Sequence, residues 1–281
     1  ENGTEDSEAL TEVKMQPVIK WTGSKRTQSE RIVALMPTEY DRYFEPFLGG
    51  GSILYALHPQ NGAFCGDICK PLIDLWREIR DNPHELSVGY RERWQELHDG
   101  GQPIYYAIRK RFNESKDPAD FLFLTRTCVN GITRFNQKGE FNSAFHITRP
   151  GINPDTLEKI ILDWSKRVKN VAFNNMDYQQ LTSTARSGDL VYLDPPYANT
   201  TQMYYGKFDN EPFFEYLEDL NHRGVKWLLS YDGIRGDNDL RVDIPKELYK
   251  RSELLFSGMS GLNRVLNKTT VGVQESLYLN Y

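Results

Sequence analysis

Cysteine is scarce in this 281-residue chain: Cys65, Cys69 and Cys128 are the whole supply, with no CxxC unit among them. An odd, unpaired set of three excludes a disulfide framework and gives no support to a zinc site, so no metal is expected and a reducing, cytoplasmic setting fits best. Long apolar runs are also missing. Hydrophobic residues make up 39% of the chain and charged residues 26%, and no window approaches the length that spans a bilayer, so no membrane partner is expected. The N-terminal ENGTEDSEAL is acidic and lacks the basic-then-apolar order of a secretory signal, so it reads as a frayed tail. An overall basic excess is absent as well: the net charge is -5. Nucleic-acid binding is normally driven by clustered Lys and Arg, so any such partner must be sought in local clusters. There is no internal repeat and no low-complexity tract. The dinucleotide fingerprint GxGxxG is missing too, because the glycines of LGGGSIL are contiguous.

What is present is an alternation of strands and helices. RYFEPFL (Arg42 to Leu48) has strand character, GGGSILYAL (Gly49 to Leu57) opens a helix, and Ala63 to Asp67 is a second strand. Lys70 to Arg80 carries helical apolar spacing at Leu72, Ile73, Leu75, Trp76 and Ile79. The alternation resumes with strands at Asn170 to Phe173, Leu190 to Leu193 and Val225 to Tyr231, and with a helix around Phe213 to Asn221. SELLFSG and ESLYLNY, with no helix between them, predict an antiparallel pair at a sheet edge. Between these halves, from about Asp81 to Ile160, helical, basic and aromatic pieces surround the turn-rich NGITRFNQKGEFN. The fold expected is α/β, a mostly parallel sheet whose ligands sit at the C-terminal ends of its strands.

Two candidate sites fall at such ends. Strand one runs through Phe47 into Gly49-Gly50-Gly51, a turn that lets a backbone approach a ligand, followed by the free N–H groups of a helix start. Asp67 ends the next strand, where an acid in a nucleotide-binding βαβ unit accepts hydrogen bonds from ribose hydroxyls. Without GxGxxG, a nucleoside lacking a pyrophosphate fits better than a dinucleotide. The second site is DLVYLDPPYANT (Asp189 to Thr200), an apolar strand that ends on Asp194, Pro195, Pro196 and Tyr197.

FEPFLGGG, the acid after the second strand and DPPY together resemble the Dam-like, alpha-ordered class of adenine-N6 DNA methyltransferases. PVIKWTGSKR (Pro17 to Arg26) is similar to that family's N-terminal KWxGGK element, with Ser24 in place of one glycine. Phe121 to Asn142 is similar to its target-recognition hairpin, NNMDY (Asn174 to Tyr178) to the element before DPPY, and ESLYLNY to its last strand. The resemblance implies a Rossmann-like methyltransferase sheet of residues 1–79 and 164–281, interrupted at 80–163 by an inserted, mainly helical DNA-recognition domain carrying a β-hairpin. It also implies S-adenosylmethionine as cofactor, S-adenosylhomocysteine as product and double-stranded DNA as substrate, with the enzyme a monomer in solution and nucleoid-associated on DNA.

An adenine amino group is a poor nucleophile because its lone pair is delocalised into the ring. The Asp194 side chain and the Pro195 carbonyl are suited to accept its two hydrogens, Pro196 helps to fix that backbone, and Tyr197 offers a stacking face for a base flipped out of the duplex. The resemblance further implies that Trp21 and Lys25 contact the methionine part of the cofactor, and that Phe47 lines its pocket with Gly49 and Gly51. By the same resemblance Asp67 holds the ribose, Asp177 approaches the cofactor adenine, and Asp194 sits between cofactor and target base. An Asp at position 177 serves equally well as the cap of the next helix. The local basic clusters are IRKRF (Ile108 to Phe112) and TRFNQKG (Thr133 to Gly139); Asn130, Arg134, Asn136 and Lys138 are the candidate DNA contacts, with Arg134 as guanine reader. After the hairpin the chain departs from the GATC-recognising pattern, with Ser143 and Ala144 before FHITRP, so GATC and another short site, as in restriction-modification, both stay open. Cytosine-N4 or protein-glutamine methylation, a nicotinamide-dependent oxidoreductase and a catalytically silent DNA-binding module are the alternatives.

Overall fold

In a computed structural model, residues 14–196, 208–235, 238–239, 241–259 and 272–281 are described; the acidic N-terminal stretch and Tyr197 lie outside them. The first half runs α1 (Ser29–Val33), β1 (Tyr43–Glu45), α2 (Ser52–Leu57), β2 (Ala63–Asp67) and α3 (Lys70–Asp81). Four helices follow: α4 (Pro83–Gly100), α5 (Gln102–Ser115), α6 (Pro118–Thr127) and α7 (Pro154–Arg167). The second half is β3 (Val171–Asn175), α8 (Tyr178–Leu181), β4 (Leu190–Leu193), α9 (Asn210–His222), β5 (Lys226–Arg235), β6 (Asn238–Asp239), β7 (Arg251–Met259) and β8 (Gly272–Leu279). These strands form one mixed sheet in the order β3-β2-β1-β4-β5-β8-β7, with the short β6 paired to β5.

The β3, β2, β1, β4 and β5 neighbours are parallel, whereas β8 runs antiparallel to both β5 and β7. The expected antiparallel pair is therefore present, although β8 lies inside the sheet and only β7 forms its edge. β1 is shorter than the RYFEPFL stretch because Pro46 has no N–H to donate to a ladder. Past it, the Leu48 N–H turns to the Gly66 carbonyl at 3.0 Å.

Alternating side chains of the central strands enter two cores, as the period of two demands. Tyr43, Leu190, Tyr192 and Leu228 join the cluster built on Leu72, Trp76, Ile79, Ile161 and Trp164 from α3 and α7. Phe44, Val191, Leu193, Trp227 and Leu229 join the other, with Phe213, Leu217 and Leu220 from α9. The helical stretch from α4 to α7 shares the first core: Tyr90, Tyr105, Phe112, Phe121 and Phe123 are continuous with Trp76. α7 crosses residue 163 without a break and brings Trp164 to 5.1 Å from the Trp76 ring.

The N-terminal ends of β1 and β4 are locked by Asp189, which is fully buried. Its carboxylate accepts hydrogen bonds from the Arg42 amide (3.1 Å), the Arg42 guanidinium (3.1 and 2.7 Å) and the Arg186 amide (2.8 Å). The adjoining Gly188 has φ 97°, and a Cβ there would lie 2.3 Å from Asp41 Oδ2, so only glycine fits. Glu45, at the other end of β1, is also buried and accepts a hydrogen bond from the Tyr43 hydroxyl at 2.8 Å. Burial pushes its carboxyl from 4.5 up to about 8, against the opposing hydrogen bond from Tyr43 and with help from the Asp194 charge.

Two outcomes follow from these acids. Asp189→Ala strands two part-buried amides and a partly buried guanidinium, and is expected to lower unfolding free energy by about 3 kcal/mol; a loss under about 1 kcal/mol in denaturant titration would mean that the pair acts as a surface interaction. Glu45 holds its proton more tightly folded than unfolded, so its contribution to stability is complete below pH 4.5 and is lost as the pH rises to about 8. Glu45→Gln keeps an acceptor for Tyr43 but carries no charge. The variant should gain on the parent by at most about 1.4 kcal/mol per pH unit across that window; parallel stability curves at pH 5 to 8 would contradict this account.

Candidate active site

Because β1 to β4 are parallel, their C-terminal ends emerge along one edge of the sheet. Phe47 and the glycine turn follow β1, Asp67 ends β2, Asp177 follows β3 and Asp194 follows β4. In the turn, Gly49 has φ 51° and Gly51 φ 71°, and a Cβ on Gly49 would stand 2.9 Å from Trp21 Cδ1. Glycine is needed there so that the Trp21 indole can pack on the turn. Trp76 Nε1 donates to the Gly49 carbonyl at 3.0 Å, which fixes the turn from beneath.

Asp67 accepts the Gly49 N–H on Oδ2 at 3.2 Å and the Cys69 N–H on Oδ1 at 3.0 Å. With the Ile68 amide also contributing, three backbone donors on two oxygens leave the carboxylate capacity for a further donor. Burial pushes the Asp67 carboxyl up to about 6, opposed by these amide hydrogen bonds. Asn175 holds the strand end from β3: its Nδ2 donates to the carbonyls of Asp67 and Ile68, each at 3.0 Å. Ile68 itself stands 46% exposed beside the acid, an uncovered apolar side chain at the mouth of the edge.

Asp194 faces Lys25, whose Nζ lies 3.2 Å from Asp194 Oδ1. The same ammonium is paired with Glu275 of β8, and the three side chains are 19%, 6% and 5% exposed respectively. Burial raises the Asp194 pKa; Lys25 draws it back and the Glu275 charge adds to the rise. Lys25 is carried by the segment whose Ser24 hydroxyl lies 2.8 Å from that of Ser52 at the start of α2. Pro195 is buried and Pro196 is exposed. Tyr197 lies outside the described residues.

The remaining expectations divide. Phe47 stacks on Tyr178 at 5.5 Å and meets Phe208 and Phe213 edge-on, so it is knitted into the second core at the site's floor. Asp177 caps α8, its Oδ1 accepting the Gln180 N–H at 2.9 Å. The stretch after α6 folds back on itself through the single bridges Cys128 to Phe145 and Phe135 to Phe141, a ribbon with less ladder than a full hairpin. Asn130, Arg134 and Lys138 are exposed on it. Asn136 turns inward: its Oδ1 accepts the Lys138 and Glu140 amides at 2.9 and 3.0 Å, and its Nδ2 donates to Glu140 Oε2 at 2.7 Å. Within IRKRF the two arginines have partners in the fold, while Lys110 is exposed. Arg109 donates to the Ser143 carbonyl at 3.1 Å, and Arg111 pairs with the fully buried Asp120.

Glu275, Glu45 and Asn175 are the site-edge residues that the sequence reading did not single out. The signal for the two acids was a lone carboxylate inside an apolar strand, ESLYLNY and RYFEPFL, which burial must pair or neutralise.

Residues 21–260 match the profile of the D12 class N6 adenine-specific DNA methyltransferases. A type II methyltransferase of Lactococcus lactis subsp. cremoris is 31% identical over 193 residues, covering 66% of this chain and 66% of the relative. A type II methyltransferase of Methanocaldococcus jannaschii is 28% identical over 299 residues, 96% of this chain and 100% of the relative. A DNA adenine methylase of Haemophilus influenzae is 29% identical over 194 residues, 68% of this chain and 66% of its own length. The chain thus spans just under two thirds of two of these relatives and all of the third. With the profile running from Trp21 past Asp67 and Asp194, the chain belongs to the D12 class of N6 adenine-specific DNA methyltransferases.

Proposed function

We propose that the protein transfers the methyl group of S-adenosylmethionine to the N6 amino group of an adenine flipped out of a short site in double-stranded DNA. The observation that carries this reading is the partly buried Asp194, ion-paired with Lys25 and followed by Pro195, on the edge that also holds the glycine turn and Asp67. The donor set suits the cofactor. Asp67 keeps acceptor capacity for ribose hydroxyls, and Ile68 offers an apolar face beside it. Once bound, S-adenosylmethionine supplies the electrophilic methyl group.

The rest falls to residues of the chain. Asp194 Oδ and the Pro195 carbonyl accept the two amino hydrogens, which localises the lone pair on N6 and turns it toward the methyl donor. Proline fixes φ, so that carbonyl needs no reorganisation when the base arrives. Lys25 holds the Asp194 carboxyl in place and opposes the rise of its pKa on burial. Binding donor and acceptor in line contributes through orientation, and flipping the base costs a few kcal/mol, which contacts to DNA must offset. We assign those contacts to residues 80–163, with Arg134 on the ribbon as a base reader and Lys138 and Asn130 beside it, and catalysis to 1–79 and 164–281. Asn136 shapes the turn on which they sit.

The test is incubation with labelled S-adenosylmethionine and unmethylated DNA, followed by digestion to nucleosides and mapping of modified positions. Label in N6-methyladenine at one short motif is expected; label absent from DNA despite cofactor binding would overturn the reading. Asp194→Ala leaves Lys25 paired with Glu275, so the chain should stay folded while turnover falls by at least about a hundredfold. Near-normal turnover would remove the mechanism. Arg134→Ala changes an exposed side chain and should relax preference at one base pair by about tenfold or more, with cofactor binding unchanged. Unchanged preference would reject its role as reader.

A further inference from the structure

The ribbon that carries Arg134 has few backbone bonds of its own, and α5 and the hydroxyl of Ser143 supplement them. Where a neighbouring strand would bond Phe141, the side chain of Asn113 stands instead. Its Oδ1 accepts the Phe141 N–H at 2.8 Å and its Nδ2 donates to the Phe141 carbonyl at 3.0 Å. The Phe141 ring is buried and meets Phe112 and Phe121 edge-on at 6.1 and 6.4 Å. Two residues on, the buried Ser143 bridges the two sides of the ribbon. Its hydroxyl donates to the Ile132 carbonyl at 2.6 Å and accepts the Arg134 N–H at 3.0 Å. The Ser143 carbonyl is held in turn by the Tyr105 hydroxyl at 2.9 Å and Arg109 Nη1 at 3.1 Å, both from α5. The Arg134 carbonyl accepts the Asn142 N–H at 2.9 Å. Both peptide groups of Arg134 are therefore fixed through the 141–143 segment, which hangs from α5, while its side chain points free of the fold.

We propose that Asn113 and Ser143 are positioning residues for DNA-site specificity: they set where Arg134 meets a base pair, although neither needs to touch DNA. The proposal rests on the reading of Arg134 as a base reader. A guanidinium discriminates guanine only when both its donors meet O6 and N7, so a displacement of the backbone of about 1 Å loses the second bond and with it the discrimination. The hydroxyl of Ser143 takes the place of ladder bonds, which explains why the ribbon has single bridges. It also gives a physical role to the serine at which the sequence departs from the GATC-recognising pattern.

The experiment compares the parent chain, Asn113→Ala, Ser143→Ala and Arg134→Ala on a duplex library of randomised sites, with modified positions sequenced and KM for S-adenosylmethionine measured in parallel. Asn113→Ala and Ser143→Ala should lose discrimination at the same base pair as Arg134→Ala, by about tenfold, with cofactor KM within about twofold of the parent. If Arg134→Ala relaxes that position while the two folded variants keep the parent's preference within about twofold, the positioning role is overturned and the reader stands. If Arg134→Ala leaves preference unchanged, or the parent methylates no DNA, the underlying reading fails instead. Should either variant not fold, amide exchange on the intact DNA-free protein decides. The Arg134 and Phe141 amides should be protected, and exchange at the rate of an open loop would overturn the proposal.

Discussion

The interaction on which the active edge depends is the single ammonium of Lys25, buried between the carboxylates of Asp194 and Glu275. Burying three ionisable groups is expensive, and removing Lys25 would leave two desolvated carboxylates uncompensated, whereas either carboxylate can be lost with the other still paired. The arrangement persists because it ties together three segments that are far apart in sequence: the stretch around Trp21 to Lys25, the end of β4, and β8. Desolvation raises the Asp194 pKa, Lys25 draws it back, and Glu275, sharing the same ammonium, adds to the rise. The neighbouring Glu45 takes the other solution open to a buried acid and keeps its proton at neutral pH.

The position of Asp194 is set from the opposite end of its strand. Asp189 fastens β4 to β1 by gathering Arg42 and two backbone amides, and four buried residues, Leu190 to Leu193, carry the chain through the sheet between two cores. The parallel register then delivers the ends of β1 and β4 to the same edge. Pro46 ends β1 one residue after Glu45, and the glycine turn bends back over Trp76. A strand's exit is thus fixed by its entry, and the chemistry rests on bonds made at the far side of the sheet.

The parts legible in the sequence were those governed by local pattern. Strand and helix alternation, the glycine turn and Asp67 follow from hydrophobic period and backbone freedom, and β2 and β4 fall on their expected residues. The family follows from ordered motifs, and it places the chain among adenine-N6 enzymes rather than with nicotinamide-dependent, cytosine-N4 or glutamine-modifying ones. What was illegible depends on long-range partners. Glu275 meets Lys25 across 250 positions, and the partners of the IRKRF arginines, the Ser143 carbonyl and Asp120, are likewise invisible in local pattern. Asn136 has the composition of a base-contacting amide, yet its side chain closes a turn within four residues. No periodicity distinguishes an amide turned outward from one turned inward.

The same long-range packing joins the ribbon to the edge that holds Asp194. Arg126, near the end of α6 and just before the ribbon, is buried and donates its guanidinium to the backbone carbonyls of Pro17 and Val18. Burial lowers its pKa to about 10, which leaves it charged at neutral pH, and it finds carbonyl dipoles there for that charge. A few residues on, Lys20 lies against Gly131 at the base of the ribbon, where a Cβ would come within 3.2 Å of the Lys20 side chain. The chain then passes directly to Trp21 on the glycine turn and to Lys25 beside Asp194. The ribbon base and the cationic segment of the active edge therefore share one packed joint of a few residues. Under the proposed function, such a joint removes the slack that a flexible tether between the ribbon and the Asp194 edge would introduce.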